Sequence, residues 1–148
     1  PSLSGVQKKQ GENLIKHLLA AAFACATNAS QAEWVEVASN AQVATYMDSE
    51  SVRMPADKIF RVWLLASYTQ AIPANRRSSK TYQEFDCLKA TVRGLAVTWY
   101  SGPMGSGRVI DGDHIPEVPR FFPPASALAD VANIVCNQDN LEADAQKS

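Results

Sequence analysis

Few side chains in this sequence could do chemistry, and they fall into three groups. Asp111-Gly112-Asp113-His114 puts two carboxylates and an imidazole within four positions. A calcium loop of the EF-hand kind needs further oxygens at fixed spacing and a closing Glu, and Glu117 comes too early for that role. The simpler reading is an Asp-Gly turn that leaves its polar side chains in water. His114 with Asp111 or Asp113 could also be drawn into a Ser-His-Asp triad. The nucleophile elbow is absent, however, because Met104 stands where the first glycine should precede Gly105-Ser106-Gly107. Gly102 to Gly107 is no phosphate cradle either, since no Gly-Lys-Ser/Thr follows it. The expectation is therefore no catalytic residue, no metal and no cofactor.

The second group is the three cysteines, Cys25, Cys87 and Cys136. Cys25 closes with Ala26 an apolar run from Leu18, preceded by Lys8, Lys9 and Lys16 and followed by Ser30-Gln31-Ala32. A basic region, a short apolar stretch and small residues at a cleavage site describe a secretory signal peptide. Pro1 to about Val6 reads as residues added ahead of it, and residues 1–32 are expected to leave, with 33–148 as one domain. An amphipathic N-terminal helix is a poorer description, because Leu18 to Ala26 has no polar face. Lipidation at Cys25 is the rival processing route. It is disfavoured by Ala22-Phe23-Ala24, where a lipobox has Leu and a small residue. The remaining two cysteines, in an oxidising compartment, are expected to pair as Cys87–Cys136, and two buried free thiols are the alternative.

The third group is basic. Arg76, Arg77 and Lys80 form the densest cluster of positive charge, expected in a Ser-rich loop between two central strands. It could meet heparin-like polymers or acidic protein surfaces, or could be no more than a solvated loop. The whole chain of 148 residues is nearly neutral, with 14 Lys and Arg against 15 Asp and Glu. Loss of residues 1–32 would leave 11 against 14, a net charge of −3. Such a balance argues against a dedicated nucleic-acid binder, and no run approaches the roughly 20 apolar residues of a transmembrane helix.

The elements that must hold these groups are mostly strands. Short apolar runs recur at Trp34–Val37, Val43–Met47, Ile59–Ala66, Tyr82–Thr91, Val92–Tyr100 and Arg108–Ile110, separated by turn residues. Trp63 and Trp99 are expected in the core of central strands, and Arg93, Leu95, Val97 and Trp99 on one face of theirs. After Pro123-Pro124 the period changes. Ser126 is placed to cap a helix, and Leu128, Val131, Ala132, Val135 and Cys136 form one helical stripe. The predicted fold is α+β, an antiparallel meander of about five to six strands packed against a C-terminal helix, with a fraying polar tail.

An ordered set of these residues resembles the surface-adhesin protein E family. It comprises Trp34-Val35-x-Val37, Tyr46-Met47-Asp48-x-x-Ser51-Val52, and Val62-Trp63-x-Leu65 with Tyr68. There follow Ser79 and Lys80 leading into Glu84-x-Asp86-Cys87, then Arg93, Tyr100-Ser101-Gly102, Pro123-Pro124-x-Ser126 and Cys136. The resemblance implies an exported bacterial protein whose sheet is disulfide-linked to its last helix, and adhesion to host matrix and plasma glycoproteins. The expected function is therefore binding in the periplasm or on the cell surface, without catalysis. The alternative is an envelope-associated structural protein with no host partner. Partner, binding residues and oligomeric state are not written in the sequence.

Overall fold

The computed structural model describes residues 32–114 and 116–138. The expected leader, apart from Ala32, and the polar tail expected to fray, from residue 139 onward, lie outside them. The strands are β1 (Trp34–Ser39), β2 (Val43–Asp48), β3 (Arg53–Ala56), β4 (Ile59–Ile72), β5 (Arg76–Asp86), β6 (Thr91–Tyr100), β7 (Val109–Asp113) and β8 (Arg120–Phe121), followed by helix α1 (Ala127–Cys136). They form one antiparallel sheet in the order β1-β2-β4-β5-β6-β7. The two short strands, which sequence reasoning missed, pair at the sides: β3 with β4 and β8 with β6. The architecture is the predicted α+β meander with one C-terminal helix.

Alternation along β4 decides where the core lies. Phe60, Val62 and Leu64 point to one face and are almost fully buried, as the period of two requires. Their cross-strand partners continue that face: Phe60 pairs with Phe85, which pairs with Val92, and Leu64 pairs with Met47. Helix α1 lays Val131, Ala132 and Val135 on this surface, with Leu128 and Cys136 at its margin. The stripe read from the sequence is thus the buried one. Ser126 caps the helix, its Oγ accepting from the Ala129 N–H at 3.2 Å, which satisfies one of the orphan donors of the first turn.

Cys87 is bonded to Cys136, 49 positions further along the chain, with Cα atoms 5.8 Å apart. Cys87 lies one residue past the end of β5, in the turn into β6, and not inside a strand as expected. The bridge therefore ties the end of α1 to a hairpin turn.

Four other expectations are corrected. Arg76, Arg77 and Lys80 are not in a loop, because β5 begins at Arg76 and pairs with β4 through Ser78, Ser79 and Lys80. Polar composition suggested a loop there, but ladder hydrogen bonds formed with a long neighbour override weak propensity. Asp111-Gly112 is not a turn but the middle of β7, pairing with Trp99 and Thr98. Arg93 does not share a face with Val97 and Trp99. Gly94 pairs with Gln83 and Ala96 with Tyr82, so Leu95 is an extra residue that reverses the alternation. Finally, Trp63 and Trp99 are only half-buried and stand outside the hydrophobic core.

Candidate functional site

One face of the sheet is covered by α1 and the other carries the chemistry. Register assigns Arg61, Trp63 and Leu65 of β4 to the second face, opposite Glu84, Tyr82 and Lys80 of β5, since directly paired residues share a face. Arg93, Ala96 and Thr98 continue these rows on β6, and Tyr46 of β2 pairs with Leu65. Most of these side chains are half-exposed.

The rows have different characters. In one, Glu84 sits between two guanidinium groups. Its Oε2 accepts from Arg61 Nε at 2.7 Å, and its Oε1 accepts from Arg93 Nε at 2.7 Å. Burial pushes the Glu84 carboxyl up, but hydrogen bonds from Arg61 and Arg93, together with their charges, outweigh it and hold the group below the usual carboxylate range. Glu84 is 11% exposed, while Arg61 and Arg93 are 37% and 35% exposed. The anion is thus the floor and the cations are the surface. The next row pairs Trp63 with Tyr82, whose rings stack with centroids 4.9 Å apart.

In the third row Lys80 is held by aromatic side chains and a loop. Its Nζ lies 5.6 Å from the ring centroids of both Trp34 and Tyr100, within the range of cation–π attraction. The 101–108 connection between β6 and β7 folds over this end of the face. Ser78 Oγ donates to the Gly102 carbonyl at 2.6 Å and accepts from the Gly105 N–H at 2.8 Å, while Ser67 Oγ accepts from the Met104 N–H. Gly105 has φ of +71°, and a Cβ there would meet Lys80 Cε at 2.5 Å, so a side chain at this position would meet both backbone strain and a clash. Burial of Tyr46, aided by the neighbouring Glu36 carboxylate, raises its phenol further.

The three residues of the expected basic patch are separated. Arg76 lies over the Trp99 ring at 4.8 Å and pairs with Asp111 at 3.1 Å. Arg77 donates to the carbonyls of Tyr68 and Thr69, and Lys80 lies near the Trp34 and Tyr100 rings. Spacing along the chain brought them together on paper, while in the structure each is engaged by a different set of partners. The arginines that do gather, Arg61 and Arg93, are 32 positions apart in sequence. The available signal was the period of two in β4 and β5, which puts Arg61 and Glu84 on faces that a hairpin register can match.

The acidic motif also dissolves. Asp111 serves Arg76, and His114 is exposed just after β7. Among the described residues, no group of three His, Cys, Asp or Glu side chains converges as a metal site would. None of the helices described there is long and apolar enough to cross a membrane.

The fold is an α+β domain with a half-covered antiparallel sheet, one face closed by a disulfide-tied helix and the other presenting aromatic and charged rows. The profile of the surface-adhesin protein E family matches residues 34–137, and the chain belongs to that family. The family is named for adhesion and not for a reaction, and membership implies an exported or surface protein. Solved structures of protein E from Haemophilus influenzae share the fold. The second crystal form is 18% identical, with a TM-score of 0.55 over 73% of this chain and 90% of that one. Another is 16% identical, with a TM-score of 0.51 over 73% and 86%. At that identity the likeness speaks for fold alone. No curated protein sequence matches the chain significantly.

Proposed function

We propose that this protein is an exported bacterial adhesin that binds a host matrix or plasma macromolecule through the uncovered face of its sheet. In this reading residues 1–32 are a leader and 33–148 the working domain, displayed on the cell surface. The observation that carries it is the asymmetry of the sheet. Phe60, Val62, Phe85 and Val92 are spent on packing against α1, whereas Trp63, Tyr82, Arg61 and Arg93 on the opposite face remain half-exposed. Half-exposed Trp, Tyr and Arg are the residue types that carry binding energy at protein interfaces.

Purified protein is passed over immobilised matrix and plasma proteins, alongside a Trp63→Ala/Tyr82→Ala variant. Capture by the wild type, with at least tenfold weaker capture by a variant that is still folded at the assay temperature, is the expected result. Equal capture of both proteins, or capture of none, would reject the reading.

A further inference from the structure

The arginine row extends one strand further than the cluster around Glu84. Arg53 of β3 pairs directly with Arg61 of β4, Arg61 with Glu84, and Glu84 with Arg93. Four adjacent strands therefore carry Arg, Arg, Glu and Arg in one line across the uncovered face, a span of about 14 Å at the usual strand spacing. Like charges placed directly opposite each other destabilise a sheet, and here two arginines are so placed. The row holds one carboxylate for three guanidinium groups, and that carboxylate pairs with Arg61 and Arg93 only. Arg53 spends one nitrogen, Nη1, on the carbonyls of Glu50 and Val52, and is exposed. Arg61 meets Glu84 through its Nε at 2.7 Å, and its side chain is 37% exposed. A cleft of about 310 Å³ adjoins the row, lined by Glu84, Arg93, Ile59, Thr91 and the Asp86–Lys89 ion pair.

We infer that this row is a binding strip for the sulfate groups of an acidic polysaccharide. Guanidinium presents a planar fork of donors suited to an oxyanion, and a net surplus of two positive charges on an otherwise acidic domain attracts a polyanion locally. Nearly buried Glu84 fixes the spacing of Arg61 and Arg93 before any ligand arrives, which lowers the ordering cost of binding. The stacked Trp63 and Tyr82 stand one row away, about 7 Å along the strands. They offer apolar ring surface to the C–H face of a sugar while its sulfates reach the arginines. An acidic peptide would use the charged row and leave the aromatic row idle.

The inference rests on the uncovered face being the binding face, and adds the chemistry of the ligand. A heparin-derived octasaccharide is titrated into the intact protein at about 50 mM salt, with tryptophan fluorescence and calorimetry as readouts. Its de-sulfated counterpart and a poly-glutamate of matched charge run in parallel. The sulfated probe is expected to bind at least tenfold more tightly than either control, and to weaken linearly in log–log terms as salt rises. Arg53→Gln, which breaks only contacts to backbone carbonyls, is expected to weaken binding severalfold and to lower the salt slope by about one. Arg61→Lys/Arg93→Lys keeps the charge and is expected to weaken it by losing the fork. Absence of binding, equal binding of poly-glutamate, or an Arg53→Gln variant indistinguishable from wild type would overturn the inference. Capture of host proteins that survives Arg53→Gln, with no binding of the octasaccharide, would sink the strip and leave the adhesin reading standing. Octasaccharide binding without capture of any host macromolecule would do the reverse.

Discussion

Glu84 and Arg93 face each other across β5 and β6, and a single carboxylate oxygen, Oε1, receives both Nε at 2.7 Å and Nη2 at 2.6 Å. Its partner oxygen is taken by Arg61. A carboxylate engaged in this way resists protonation, which has a consequence for acid stability.

The Glu84 carboxyl is held below its ordinary range, so the native protein binds fewer protons there than the unfolded chain does. Asp86 shifts in the same sense, first through the backbone N–H of Lys89. Stability from these groups is fully present above the ordinary carboxylate pKa of about 4 and is lost as pH falls through the lower native values. Denaturant midpoints are expected to drop as pH falls below about 4.5. Glu84→Gln should lower stability at neutral pH by about 1–3 kcal/mol and flatten that acid-side slope. A variant with the same slope as wild type would contradict the assignment.

The Cys87–Cys136 bridge closes a loop of 49 positions, worth about 4 kcal/mol in the chain-entropy account. Cys87→Ser is expected to lose on the order of 2–5 kcal/mol. Hydrogen exchange should show α1 amides losing protection ahead of those of β4 and β5. Uniform loss across helix and sheet would show that the bridge does not act through helix docking.

The two faces should respond differently to truncation. Phe85 is fully buried against Phe60, Val92 and the helix, and Phe85→Ala is expected to cost about 3–5 kcal/mol. Trp63→Ala removes a larger ring from the half-exposed face and should cost much less, although it is the bigger deletion. Equal costs in urea unfolding would mean that the second face is also part of the core.

Ser78 is completely buried and holds the 101–108 loop through both its donor and its acceptor. Ser78→Ala leaves the Gly102 carbonyl and the Gly105 N–H without that partner, a cost of about 1–3 kcal/mol. Faster amide exchange confined to residues 102–106, with β5 still protected, is the expected signature.

The sequence alone determined the α+β class, the capped helix at Ser126 with its stripe, and the partnership of Cys87 with Cys136. Each rests on local or compositional logic: a period of 3.6, a cap residue before an apolar run, and the two cysteines that lie outside the expected leader. Tertiary structure decided what stands beside what. The extra residue Leu95 reverses the alternation of β6, so Arg93 joins Glu84 while Val97 and Trp99 turn to the other face. A long β4 recruits the polar Arg76–Lys80 segment as its neighbour, turning an expected basic loop into a strand. Arg53, Arg61, Glu84 and Arg93 come from four separate runs, and only the register between those strands places them in a line. Register depends on ladder pairing and on which face is buried, and both are properties of the assembled sheet, not of any one segment.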